Sequence, residues 1–78
     1  MKLPRGVSAE RLIRALEHLG YQVIRQKGSH ARLRHEGPPA HLITIPLHNP
    51  LKTGTLHGIL AEVGQMRSVT IESLSELL

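Results

Sequence analysis

A strict alternation of side chains at residues 30–34 constrains the fold more than any other feature of the sequence. Basic side chains alternate there with small or apolar ones, in the order His30, Ala31, Arg32, Leu33, Arg34. A period of two residues places the two sets on opposite faces of a β-strand. The preceding "KGS" is typical of a tight turn, and "YQVIRQ", residues 21–26, is rich in strand-forming residues. The sequence therefore predicts a β-hairpin with one apolar and one basic face.

The residues on either side of this hairpin predict a first helix and a third strand. Ser8 is a preferred N-cap for a helix from about Ala9 to Leu19, whose apolar residues recur at helical spacing. Gly20 follows at the point where helices commonly end in a left-handed residue. "HLITI", residues 41–45, has the composition of a strand, and Pro46 closes it.

Two more helices are predicted in the last third of the chain. Thr53 or Thr55 is a suitable N-cap for the second helix, which we expect to stop at Gly64. Thr70 is a suitable N-cap for a short third helix over Ile71 to Leu77.

These elements indicate an α+β fold in the order α-β-β-β-α, with a three-stranded antiparallel sheet and a short extra C-terminal helix. Placing the helices on one face of the sheet buries the apolar positions together and leaves the other face to solvent or a partner. The predicted core comprises Leu12, Leu16, Leu33, Ile43, Ile45, Leu56, Ile59 and Leu60. Because no linker interrupts the chain, we expect residues 1–78 to form a single domain.

Composition narrows the possible functions. Ten Lys and Arg against six Asp and Glu give a net charge of +4, which favours a polyanionic partner or an acidic protein. The absence of cysteine excludes disulfides and thiolate metal sites. Because there is no signal-peptide core and no apolar run of membrane-spanning length, we expect a cytoplasmic protein without a membrane segment. The lone aromatic residue, Tyr21, argues against binding single-stranded nucleic acid by stacking.

His30 is the candidate for chemistry because it opens the basic strand directly after the turn. Metal-independent RNA cleavage needs a base for the 2′-hydroxyl, an acid for the leaving oxygen and cations for the phosphate, and histidine can serve in either proton role. Lys27, Arg32 and Arg34 lie near enough in sequence to supply the cations. The residues alone leave open that His30 is an ordinary polar side chain on a solvated hairpin.

The other histidines carry weaker indications. We expect His18, His35 and His41 to be solvated. His48 lies in the loop before the second helix, where it either reaches a bound phosphate or has a structural role. No two histidines have the helical i, i+4 spacing of a zinc site, so we expect neither a metal nor another cofactor.

Three segments, "KGSHARLRH", "ITIPLH" and "GTLHGILAEVG", follow one another in an order and at a spacing that resemble the HicA family of toxin ribonucleases, the YcfA-like proteins. The resemblance implies a double-stranded-RNA-binding-like fold, cleavage of messenger RNA and inhibition by a HicB antitoxin. It also implies that His30 is the catalytic histidine, and that Gly28 and Ser29 shape its turn. The residues expected to bind RNA or phosphate are Lys27, Gly28, Ser29, Arg32, Arg34, His48 and Lys52.

Two positions depart from the family pattern. His57 stands where many relatives carry Arg or Lys after "GTL", and the tail after Gly64 is longer than in the shortest relatives. Two functions from other classes also fit the sequence. One is a non-catalytic RNA-binding module, which grips the RNA backbone with basic strands and helix N-termini. The other is a protein-interaction module whose basic face meets an acidic partner.

Overall fold

The computed structural model describes residues 3–78, in which three helices and three strands follow one another in the predicted order. The elements are α1 (Ala9–His18), β1 (Gln22–Lys27), β2 (His30–His35), β3 (His41–Pro46), α2 (Thr53–Arg67) and α3 (Ile71–Ser75). The strands form one antiparallel sheet in the order β1-β2-β3. The α+β class and the α-β-β-β-α order are thus confirmed.

The core lies between the helices and one face of β2 and β3. All eight core residues expected from the sequence are buried, and β2 and β3 alternate buried and exposed side chains as predicted. Further buried residues join the same cluster, among them Val7, Tyr21, Leu51, Val63 and Leu74. By contrast, all six residues of β1 are exposed. The helices therefore cover two strands of the sheet and leave the third at an open edge.

Helix α1 begins and ends as the sequence predicts. The Ser8 hydroxyl accepts a hydrogen bond from the Arg11 backbone N–H at 3.1 Å, which satisfies one of the free donors of the first turn. Gly20 follows the helix with φ +101° and donates to the Glu17 carbonyl at 3.0 Å. Tyr21 N–H then reaches the Leu16 carbonyl at 3.1 Å, which completes a Schellman motif and turns the chain into β1.

Helix α2 differs from the prediction at both ends. Its N-cap is Lys52, which makes no side-chain capping bond, so the proposed caps Thr53 and Thr55 are wrong. The helix also continues past Gly64 to Arg67, where Ser68 takes the left-handed conformation at φ 57°. A polar residue can adopt this conformation at a modest cost, so no glycine is required there.

Gly64 is needed for close packing instead of helix termination. The chain folds back after the helix, and the Val69 N–H donates to the Gly64 carbonyl at 3.0 Å. A Cβ at Gly64 would lie 2.7 Å from the Val69 carbonyl oxygen, a backbone atom that cannot rotate away. Glycine at this position lets the segment before α3 approach α2.

Two glycines of α2 are expected to respond to alanine with opposite signs. Gly64→Ala should lower the free energy of unfolding, because a clash with backbone costs about 1–3 kcal/mol and exceeds the gain of roughly 1 kcal/mol in helix propensity. Gly58→Ala is the matched control, since nothing lies within 4 Å of a Cβ there, and it should stabilise the protein. Urea unfolding of both variants measures the two changes. Equal stabilisation by both would contradict the packing role of Gly64.

The C-terminal segment is tied to both helices. The Thr70 hydroxyl accepts from the Ser73 N–H at 3.0 Å and so caps α3 as predicted. Leu74 is buried in the core, and the guanidinium of Arg11 in α1 donates to the Leu78 carbonyl at 2.7 Å. Among residues 3–78, no helix has the length and apolar character needed to cross a membrane.

Candidate functional site

The hairpin turn places Lys27 and His30 directly opposite each other. Gly28 and Ser29 form the two-residue turn, and Gly28 has φ +58°, a conformation that favours glycine. Lys27 and His30 are Cα partners across β1 and β2, and both are exposed. The turn therefore brings an ammonium group and an imidazole to the same end of the sheet.

The register of β2 is fixed by the residues that alternate with the basic ones. Ala31 and Leu33 are fully buried against the helices, so a slip of one residue would move both into solvent. His30 and Arg32 consequently point to the opposite, uncovered face of the sheet, which we call the outer face.

A shallow depression of about 190 Å³ surrounds His30 on the outer face. It is lined by Arg25, Lys27, His30, Arg32 and Thr44. Arg32 lies between its two cross-strand partners, Arg25 on β1 and Thr44 on β3. Apart from His30, every ionisable side chain that lines the depression is a cation.

Arg25 reaches this depression because β1 contains a β-bulge, a feature that the sequence analysis missed. Val23 pairs with Leu33, but the register shifts before Arg25, which pairs with Arg32. In a regular strand, residues 23 and 25 share a face, and Arg25 would then lie away from Arg32. The extra residue, Ile24, brings Arg25 to the outer face instead. In the sequence, the indication that Arg25 belongs to the site was its positive charge two positions before Lys27.

The His30 imidazole is held loosely. Its Nδ1 lies 3.5 Å from the Ser29 hydroxyl oxygen, which is at the long limit of a hydrogen bond, and the residue is exposed. The ring is therefore accessible to a bound molecule and can present either nitrogen to it.

The loop after β3 runs beside the same turn. Pro46 is the cross-strand partner of His30, and the Leu47 N–H donates to the Ser29 carbonyl at 2.7 Å. Asn49 then accepts a hydrogen bond from the Ala9 N–H at 3.1 Å, which ties the loop to the start of α1. His48 is exposed between these two attachment points, near the turn that carries His30.

Two of the predicted phosphate-binding residues lie outside the depression. Arg34 shares the outer face, but it forms an exposed ion pair with Glu36 at 3.3 Å and lines a different depression. Lys52, at the start of α2, lines a separate cavity of about 730 Å³ together with Arg5 and His57. Lys27 and Arg32 thus line the depression with His30. Gly28 and Ser29 form the adjoining turn, and the loop of His48 is hydrogen-bonded to that turn through Leu47. Arg34 and Lys52 lie elsewhere.

The expectation that His35 and His41 are solvated is wrong. The Gly37 N–H donates to His35 Nδ1 at 2.8 Å, and the Arg67 guanidinium contacts the same ring and the Pro39 carbonyl. His35 Nε2 lies 2.9 Å from the Leu19 carbonyl oxygen, to which it donates. These side chains join α2 to the end of the sheet. His18, in contrast, is exposed on α1 as expected.

His41 connects Tyr21 to Glu62. An ionised Glu62 carboxylate can only accept, so His41 Nε2 donates to it at 2.7 Å. In the neutral ring, Nδ1 then accepts from the Tyr21 hydroxyl at 2.6 Å. Burial raises the pKa of Tyr21, Glu62 raises it further, and the Arg67 cation opposes both effects. The raised pKa extends to higher pH the range in which the phenol is protonated and can donate this hydrogen bond.

The hydrogen-bonded cluster of Tyr21, His35, His41, Glu62 and Arg67 joins α2 to the sheet and lies apart from the His30 depression. It occupies the sheet end where Leu19, Pro39 and Arg67 meet, whereas His30 lies beside the hairpin turn at the other end of β2. Within residues 3–78, no group of three or more His, Asp or Glu side chains is arranged to hold a metal ion.

Comparison with known proteins identifies one family. The family model described as "HicA toxin of bacterial toxin-antitoxin" matches residues 9–65, from the start of α1 to the last turn of α2. No curated protein and no solved structure matches the chain. The matched segment contains the whole hairpin, the loop with His48 and the start of α2, and the part of the chain that carries α3 lies beyond it.

Proposed function

Because the chain belongs to the HicA toxin family of bacterial toxin–antitoxin systems, we propose that it is an endoribonuclease that cleaves messenger RNA without a metal ion. His30 is the proposed proton-transfer group, and Lys27, Arg25 and Arg32 are the proposed phosphate-binding cations. One observation carries the proposal: an exposed histidine lies in a depression in which all other ionisable side chains are cations.

The proposed reaction is an intramolecular transfer. The 2′-oxygen attacks the adjacent phosphorus and the bond to the 5′-oxygen breaks, which yields a 2′,3′-cyclic phosphate and a free 5′-hydroxyl. One proton leaves the 2′-hydroxyl and one reaches the departing 5′-oxygen. A histidine side chain can perform either transfer. Cations fixed on a sheet stabilise the negative charge that accumulates on the phosphoryl oxygens.

His48 is the proposed second contributor. The hydrogen bond between Leu47 and Ser29 holds its loop against the turn of His30, and its side chain is exposed there. Two roles remain compatible with this position: binding of the phosphate, and the second proton transfer.

A non-catalytic RNA-binding module is the alternative. The 3.5 Å contact with Ser29 is too long to fix the orientation of the His30 ring, whereas a catalytic histidine is usually held by a partner. The cations of the depression would bind an RNA backbone in either case. The two functions therefore differ in turnover and not in affinity.

Turnover under chelation is the experiment that separates them. We expect each molecule of the purified protein to cleave many RNA molecules in the presence of excess EDTA. The upstream product should end in a 2′,3′-cyclic phosphate. Mass spectrometry of the fragments identifies that end group. Binding without cleavage would favour the RNA-binding module, and cleavage abolished by EDTA would contradict a metal-independent reaction.

Membership of a toxin–antitoxin family implies an antitoxin partner. We propose that this partner resembles HicB and that both proteins act in the cytoplasm. The antitoxin would inhibit cleavage of messenger RNA by covering the outer face around His30. The net charge of +4 and the cations of the depression favour an acidic contact surface on the antitoxin. Occlusion of His30 would then block substrate entry directly.

The association rate of toxin and antitoxin is expected to fall roughly tenfold or more between low and high salt, because charge steering speeds encounter. Arg32→Gln should weaken this salt dependence more than Arg14→Gln, a change on the exposed face of α1. Stopped-flow mixing measures the rates. A complex that is inactive but leaves the His30 ring exposed to solvent in NMR spectra would contradict occlusion.

A further inference from the structure

The β-bulge creates a pair of like charges that the free protein does not neutralise. Arg25 and Arg32 are direct Cα partners across β1 and β2. Like charges at directly opposed positions on a sheet destabilise it. The neighbouring pair on the same face, Lys27 and His30, is also basic.

Among residues 3–78, no carboxylate forms a salt bridge with Arg25 or Arg32. All six acidic residues of the chain are glutamates, and none belongs to β1, β2 or β3. Glu36 and Glu62 are engaged with Arg34 and His41. The depression is thus a basic site that a bound anion would neutralise.

We propose that Arg25 and Arg32 form a clamp for a second phosphate of the RNA, on the nucleotide adjacent to the one that is cleaved. This inference rests on the proposed function and divides its three cations: Lys27, the partner of His30, takes the scissile phosphate, and Arg25 and Arg32 take the neighbouring one. The two cross-strand pairs are two residues apart along the strands, or roughly 7 Å, which is close to the separation of successive phosphates on one RNA strand.

The residues of the clamp suit a phosphate group. Each guanidinium offers several N–H donors in a planar fork that matches two phosphate oxygens. Thr44, the β3 partner of Arg32, adds a hydroxyl at the edge of the same depression. Recognition of a flanking phosphate positions the RNA backbone without reading its bases.

The first test measures stability without RNA. Arg25→Gln should raise the melting temperature by about 1–8 °C in a buffer free of multivalent anions, because it removes the like-charge pair. Arg34→Gln is the matched control. Arg34 lies on the same strand and face, but its cross-strand partners are the uncharged Gln22 and Leu42, and it pairs with Glu36.

Added inorganic phosphate should stabilise the wild type and have a smaller effect on Arg25→Gln. Arg34→Gln should not become more stable than the wild type in the absence of phosphate. If Arg25→Gln melts at or below the wild-type temperature, and phosphate stabilises both proteins equally, there is no anion clamp. This result does not depend on whether the protein cleaves RNA.

The second test uses a short RNA in which the cleaved linkage has been mapped. In two separate RNAs, the phosphate on the 5′ or the 3′ side of the cleaved linkage is replaced with an uncharged methylphosphonate. One of the two replacements should weaken binding to the wild type roughly tenfold. A 2′-deoxy nucleotide at the cleavage site prevents turnover during the measurement.

The same replacement should have little further effect on Arg25→Gln, because the variant has already lost the clamp. Arg14→Gln, on α1, should show the full wild-type loss. An equal loss in the wild type and in Arg25→Gln at both flanking positions would overturn the clamp and leave the proposed ribonuclease activity untouched.

Discussion

His30→Ala is expected to lower the rate of RNA cleavage by roughly 10²–10⁴-fold, which is the usual contribution of one general acid–base group. The side chain is exposed on the outer face, so its removal leaves no cavity and should not affect folding. RNA affinity should also stay close to that of the wild type, because the cations of the depression remain. Single-turnover cleavage and equilibrium binding with the same RNA separate the two quantities.

His18→Ala is the matched control for this experiment. His18 is also exposed, but it lies on α1, outside the depression, and its loss should leave cleavage unchanged. His48→Ala should reduce the rate as much as His30→Ala does if His48 is the second proton-transfer group, and less if it only binds phosphate. Wild-type cleavage by a folded His30→Ala protein would exclude His30 as the catalytic residue.

The second large effect concerns the core. Leu16→Ala and Ile59→Ala should each lower the free energy of unfolding by roughly 2–5 kcal/mol, the range for emptying a buried aliphatic site. Leu16 on α1 is 1% exposed and Ile59 on α2 is 8% exposed, and both belong to the cluster that covers β2 and β3. A loss of this size is a large part of the stability of a small domain.

Leu77→Ala provides the comparison for both core variants. Leu77 is 42% exposed, so its truncation should change the free energy of unfolding by no more than about 0.5 kcal/mol. Chemical denaturation of the three variants gives the values. Near-zero losses at both Leu16 and Ile59 would show that the helices do not pack on the sheet as described.

Features set by short-range pattern were predictable from the sequence. The alternation at residues 30–34 identified β2 and its two faces, because the period of a strand is two whatever surrounds it. Ser8 and Gly20 marked the ends of α1 because capping and left-handed glycine depend on neighbouring backbone groups. The apolar spacing of the helices and strands was sufficient to name the eight core residues for the same reason.

Features set by distant contacts were not predictable. Gly64 resembles a helix terminator in the sequence, and only the return of the chain at Val69 shows why a glycine is needed there. His41 resembles a surface residue in the sequence, because its partner Glu62 lies 21 positions further along and only the fold brings the two together. Arg25 joins the His30 depression through a bulge that alternation of residue types does not reveal.

The bulge in β1 also bears on how copies of this chain behave towards one another. β1 lies at the edge of the sheet, and its Val23 and Ile24 are 40% and 51% exposed. An apolar edge strand with regularly spaced backbone donors and acceptors is a template for aggregation. Here the bulge interrupts that spacing, and Arg25 and Lys27 add charge along the same edge. Deleting Ile24 would restore a continuous edge and expose the protein to intermolecular strand pairing.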